Sequence, residues 1–197
     1  EKGAFVGDVD LHFDAKTMLF SMPNPESHWH IFEVGVDGKN LRQVTPSEHT
    51  DVSNYDPCYL PDGNVMYTST ANMQGIPCIG GGSHVANLAL YNPNTGKTRM
   101  LCFEQDHDWC PTLMPNGRIM YLRWEYTDTP HYFTRVMMSM NPDGTNQVAY
   151  YGSNSYWPNS LFFARPVPGT ATQFVGIVGG HHGIAREGEM VVFDTAK

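Results

Sequence analysis

Nine histidines stand among 197 residues, and the densest chemistry-bearing segment is Gln105-Asp106-His107-Asp108-Trp109-Cys110-Pro111. Imidazole is the side chain that most often ligates metals or moves protons near neutral pH. Mixed imidazole, carboxylate and thiolate sets suit zinc, manganese or iron. In an extended segment residues two apart share a face, so Asp106, Asp108 and Cys110 form one set and Gln105, His107 and Trp109 the other. His84, His107, Asp108, Cys110, His131 and His181 are the candidate ligands of a divalent metal. Trp109, Tyr126, Tyr132 and Tyr156 are candidate ligand-binding rings, because aromatic faces stack on sugars or wall a cofactor pocket. The plainer alternative makes Asp108 a turn cap and Cys110 a small buried residue.

Several chemistries lack their signatures. Gly80-Gly81-Gly82-Ser83-His84 follows no strand-to-helix turn and has no Lys, so it is a loop and not a phosphate cradle. No G-x-S-x-G, H-E-x-x-H or C-x-x-C-H occurs, which removes the serine-hydrolase, zincin and c-type haem readings for these residues. Twelve Lys and Arg against twenty Asp and Glu give a net charge of -8, which offers nothing to a nucleic-acid backbone. No apolar run approaches the roughly 18 residues of a spanning helix. The four cysteines fit two disulfides or four thiols equally well.

What positions the candidate residues is a repeat. Asp10-Leu11-His12-Phe13-Asp14-Ala15-Lys16 aligns with Pro57-Cys58-Tyr59-Leu60-Pro61-Asp62-Gly63 and with Pro111-Thr112-Leu113-Met114-Pro115-Asn116-Gly117, and a fourth copy begins near Pro158. The spacings of 47, 54 and 47 residues suit four-stranded propeller blades. A second hairpin follows in each, as in Val136-Met137-Met138-Ser139-Met140 before Asn141-Pro142-Asp143-Gly144. The expected fold is an all-β propeller over residues 1–197, with blades near 8–45, 55–102, 109–152 and 157–197. The fourth blade ends after three strands, at Glu189-Met190-Val191-Val192-Phe193-Asp194, which reads as part of a larger ring, of six or seven blades as in the PDG-type propellers that these turns resemble, or as a four-bladed ring closed by residues 2–6 as the outer strand. Propeller topology sends the hairpin turns to one face and the longer loops to the other. Eight histidines then fall on the loop face and only His12 in a strand.

These blades resemble the TolB-like, WD40-like PDG propellers, with Gln43-Val44-Thr45 after Gly38-Lys39-Asn40-Leu41-Arg42 as the usual outer strand. More specifically, Asp8-Val9-Asp10-Leu11-His12-Phe13, the segment from Gln105 to Pro111, Arg123-Trp124-Glu125-Tyr126-Thr127-Asp128-Thr129-Pro130-His131-Tyr132 and Tyr151-Gly152-Ser153-Asn154-Ser155-Tyr156-Trp157-Pro158 are similar to the middle domain of hydrazine synthase α-subunit-like proteins. The resemblance implies a propeller module of a larger exported bacterial protein, periplasmic or secreted, whose partners are its own remaining domains or blades. A weaker resemblance is to oligogalacturonate lyases, in which a Gln and two His ahead of a strand-opening proline help hold manganese. Here Gln105 stands six before Pro111, but Asp108 and Cys110 fill the other positions.

The expected function is a His, Asp and Cys-rich loop face that binds a metal, a cofactor domain, or a carbohydrate or other small ligand. A metal-dependent polysaccharide lyase is one alternative, with the metal acidifying an α-proton and a second His as base. A protein docking scaffold is the other.

Overall fold

The structure, a computed structural model, describes residues 5–125, 135–152, 160–179 and 188–197. Fifteen strands among them form four antiparallel sheets, each in chain order. The first holds β1 (Gly7–Leu11), β2 (Thr17–Pro23), β3 (Trp29–Gly35) and β4 (Arg42–Gln43), and the second β5 (Asn54–Tyr59), β6 (Val65–Ser69), β7 (Asn87–Asn92) and β8 (Lys97–Met100). The third holds β9 (Asp108–Leu113), β10 (Ile119–Trp124), β11 (Arg135–Met140) and β12 (Val148–Tyr151), and the fourth β13 (Leu161–Pro166), β14 (Gln173–Gly179) and β15 (Gly188–Asp194). The chain is the all-β propeller that its repeat predicts, with four blades.

Each blade opens on a strand bent by a bulge at the same place. Asp8, Asp56, Cys110 and Phe163 all adopt left-handed backbone, with φ of 58°, 49°, 53° and 52°, and the pairing register shifts beside each. A bulge sharpens local twist and re-aims the side chain it carries. These four positions line one small central space together with Pro57, Pro111 and Arg165. β1, β5, β9 and β13 are therefore the inner strands.

The bulges also correct the alignment read from sequence. Val9, and not Asp10, stands at the Pro57 and Pro111 positions, and the fourth copy has Ala164 there. The inner strand of the fourth blade accordingly begins at Leu161. The hairpin turn confirms the shift: Gly63 and Gly117 have φ of 83° and 80°, and Ala15 meets the same demand at 56°.

Neighbouring blades are joined by three apolar clusters. Leu19 and Ile31 pack on Tyr59, Val65, Tyr67 and Ala89; Met66 and Leu88 on Ile119, Tyr121 and Met140; Met120, Leu122 and Met137 on Phe174 and Phe193. Fully burying one such side chain stabilises by about 1.5–3 kcal/mol. Polar ties run through the same seams. The Tyr59 amide donates to Asp10 at 2.9 Å, the Cys110 amide to Asp56 at 3.1 Å, and the Arg165 guanidinium to Thr112 Oγ1 at 2.7 Å. No disulfide joins the four cysteines, and burial pushes the Cys58 thiol up to about 12.

Candidate functional site

A cleft of about 350 Å³ opens on the loop face, with walls from the first three blades. The first blade and the connection after it supply His28, Asp51 and Ser53; the second supplies Tyr55, Thr70, Ser83 and His84; the third supplies His107 and Trp109. Three imidazoles from different blades thus share one cavity with a carboxylate, hydroxyls and an indole. A second aromatic run borders it, from Phe5 to Trp29 at 5.7 Å between ring centres and from Trp29 to Tyr55 at 5.6 Å.

His107 is the most constrained of the three. Its Nδ1 accepts the Ala86 amide at 3.0 Å, so the neutral ring carries its proton on Nε2. Its ring stacks on Trp109 at 4.3 Å and lies nearly parallel to Trp124 at 5.6 Å. The backbone is strapped on both sides. The Trp124 amide donates to the His107 carbonyl at 2.9 Å, the Asp108 amide to the Ala86 carbonyl at 3.0 Å, and Asn87 Nδ2 to the Asp106 carbonyl at 2.7 Å. The imidazole is held by the amide of Ala86, just ahead of β7, and by stacking on Trp109 and Trp124.

His84 is exposed on the long connection between β6 and β7. It pairs with Gly75 across an isolated bridge, and a side chain on Gly75 would meet the Gly81 Cα at 2.7 Å. The glycines therefore let this loop fold back tightly and bring His84 to the cleft. His28 is half-buried at the end of the first inter-hairpin loop, its amide bound to Asn24 Oδ1 at 2.9 Å. His30, assigned by its sequence position to that loop, lies instead within β3 and is buried.

The alternation at residues 105–110 separates two roles. His107 and Trp109 line the cleft, whereas Asp108 and Cys110 are buried away from it. Asp108 Oδ1 accepts from Arg123 Nε at 2.9 Å, and Glu104 lies 3.1 Å from the same guanidinium. Burial pushes the Asp108 carboxyl up to about 6, against the downward pull of Arg123. The Cys110 side chain belongs to the central space, 8% exposed and next to Asp56. Of the residues singled out by sequence, the structure brings together His84, His107 and Trp109. Tyr126, His131, Tyr132, Tyr156 and His181 lie outside the described residues.

Among the described residues, no three His, Cys, Asp or Glu side chains converge as a metal site. Ser53, Thr70 and Ser83 escaped sequence reasoning, because isolated hydroxyls carry no pattern. Asp51 and Tyr55 stand at the opening of the second blade, but nothing in their spacing aims them at His107. Among the described residues, no helix is long and apolar enough to cross a membrane.

No protein-family model and no curated protein matches the sequence. Solved structures with the same fold include hydrazine synthase of Kuenenia stuttgartiensis, at a TM-score of 0.78 and 12% identity over 97% of this chain and 31% of that one. A putative TolB from Agrobacterium tumefaciens matches at 0.65 and 15% identity, over 95% and 64%. An oligogalacturonate lyase in complex with manganese matches at 0.58 and 13% identity, over 91% and 49%. The chain thus spans less than two thirds of each of these proteins, and at such identities the likeness is one of fold.

Proposed function

We propose that this chain is a propeller module of a larger exported protein, and that its loop-face cleft binds a small hydroxylated ligand of the carbohydrate type. The observation that carries this reading is the convergence of His28, His84 and His107 from three connections on one cavity walled by Trp109. Its volume lies in the range of small-molecule pockets. A sugar presents hydroxyls along its edge and C–H groups on its faces. The imidazoles, Ser53, Thr70, Ser83 and Tyr55 suit the edge, and the indole suits a face. The His107 ring, whose Nδ1 accepts the Ala86 amide, is held in one orientation at the cleft wall. The experiment is calorimetric titration with neutral and acidic mono- and disaccharides, comparing the parent chain with His107→Ala and Trp109→Ala. Binding abolished in both variants supports the reading, and binding unchanged in both contradicts it.

A metal at the same face is the second reading, and the manganese in the lyase of the same fold favours testing it. His84 and His107 would supply two ligands, with His131 or His181 as the others needed; Asp108 is engaged by Arg123 instead. Elemental analysis of the protein purified without added metal or chelator tests this. Near-stoichiometric zinc, manganese or iron, lost in His107→Ala, supports a metalloenzyme of the lyase kind, and metal-free protein leaves the binding cleft.

A further inference from the structure

The seam between the first and second blades and the seam between the second and third reach the loop face in the same way, but differ there in one side chain. By cross-strand register, Ser21 and Ile31 of the first blade stand where Thr68 and Leu88 stand in the second. Trp29 and Ala86, two residues ahead of Ile31 and Leu88, are therefore equivalent. Residues two apart on a strand share a face, and Ile31 and Leu88 belong to the apolar clusters of the first and second seams. Trp29 and Ala86 accordingly lie over those same seams. On the facing inner strands Tyr55 and Trp109 are equivalent, each standing just before the bulge, and so are Ser53 and His107 two residues earlier.

The hydrogen bonds repeat with the positions. The Trp29 amide donates to Ser53 Oγ at 3.3 Å, and the Ala86 amide to His107 Nδ1 at 3.0 Å. The Thr70 amide donates to the Ser53 carbonyl at 3.0 Å, and the Trp124 amide to the His107 carbonyl at 2.9 Å. Over the first seam an indole fills the space: the Trp29 ring lies 5.6 Å from that of Tyr55 and 5.7 Å from that of Phe5. Phe5 stands in for a side chain that Gly7 lacks. Gly7 is the first blade's counterpart of Tyr55 and Trp109, and a Cβ on it would meet Phe5 Cε1 at 3.3 Å. Over the second seam Ala86 has only a methyl group, and there the cleft opens, lined by Tyr55, Ala86 and Trp109.

We propose that the cleft is a slot for one ring of its ligand, in the place that Trp29 fills over the first seam, and that Ala86 is the residue that keeps it open. The equivalence gives the pose. The bound ring lies against Trp109 as Trp29 lies against Tyr55, and Tyr55 takes the part of Phe5. The seam already accommodates a ring of indole size once, with its main-chain bonds intact. His107, where the first seam has Ser53, brings an imidazole to the slot. The ligand's class rests on the carbohydrate reading above: a single pyranose ring, with its C–H faces on the two aromatic side chains, is the unit that the slot takes.

Free indole is the probe of the slot, because it is the group that fills the equivalent place, and neutral and acidic monosaccharides are the probes of the carbohydrate reading. Each is titrated into ¹⁵N-labelled protein and followed by amide correlation spectra. The expected result is that indole shifts the amides of Tyr55, Ala86 and Trp109, that a sugar shifts the same set and is displaced by indole, and that Ala86→Trp loses both while its spectrum elsewhere stays that of the parent. Trp29→Ala should open the equivalent slot, so that indole then also shifts the amides of Phe5 and His30. Sugar binding retained in folded Ala86→Trp overturns the slot and leaves the carbohydrate reading standing. Indole binding in the slot with no sugar bound upholds the slot and removes the carbohydrate reading, and binding of neither to the parent removes both. If Ala86→Trp does not fold, Trp29→Ala decides: no gain of an indole site there overturns the equivalence of the seams and the slot with it.

Discussion

The amide of Ala86 donates to Nδ1 of His107 at 3.0 Å, so the start of one blade's third strand fixes the imidazole at the mouth of the next. That bond requires an unprotonated Nδ1. The expected tautomer is therefore Nε2–H, which long-range nitrogen–proton correlation spectra of ¹⁵N-labelled protein report directly. Observation of an Nδ1–H ring at neutral pH would contradict the bond that orients the imidazole.

Arg123 is the hinge of the buried polar seam between the second and third blades. Its side chain is 8% exposed, bonds Asp108 at 2.9 Å and donates to Gln147 Oε1 at 2.8 Å. Arg123→Met leaves the fully buried Asp108 without its countercharge, a change that costs about 3–5 kcal/mol. The loss should shrink at acid pH, since burial already raises the Asp108 pKa and protonation removes the stranded charge. Asp108→Asn in the same chain should recover part of it. Denaturant unfolding at two pH values reads all three outcomes, and a loss below about 1 kcal/mol would mean that the seam is solvated.

Ala15 occupies a turn position that Gly63 and Gly117 fill in the next two blades, and its φ is 56°. Left-handed backbone costs an alanine about 1–2 kcal/mol, and the greater chain entropy of glycine offsets part of the relief. Ala15→Gly should stabilise by up to about 1 kcal/mol. A lower unfolding midpoint would show that the strain is relieved elsewhere.

His30 is buried in β3 with Nδ1 3.3 Å from Thr45 Oγ1. Burial, then the neighbouring His28, holds its pKa below the ordinary 6.5, while Glu26 pulls it back up. A histidine depressed in the folded state contributes stability that is present above pH 6.5 and is lost as the pH falls through the folded value. His30→Gln should flatten this acid limb of the stability profile. An unchanged acid limb would assign the dependence to other groups.

The fold was legible where turn chemistry repeats. Pro61-Asp62-Gly63 and Pro115-Asn116-Gly117 announce the same hairpin, and the alternation sets His107 and Trp109 on the cleft apart from Asp108, but Asp108 and Cys110 do not share a face: Asp108 meets Arg123, and the bulge turns Cys110 to the central space. The first blade misled by one residue because Ala15 stands where a glycine would mark the turn, and because Val9 and Ala164 replace the prolines that follow the bulge in the middle blades. Partners fixed by register were not legible at all. Arg123 faces Asp108 across β9 and β10 only once the bulge between them is placed. His28 and His84 reach His107 through loops whose course no periodicity encodes.

The most direct measurement of the central claim is a histidine and indole NMR titration with neutral and acidic disaccharides, the resonances being assigned by single substitutions. Saturable shifts of His28, His84, His107 and Trp109 with a common midpoint, while the distant His12 stays fixed, are the predicted result. Shifts confined to residues outside the cleft, or none with any sugar of the panel, would contradict the account.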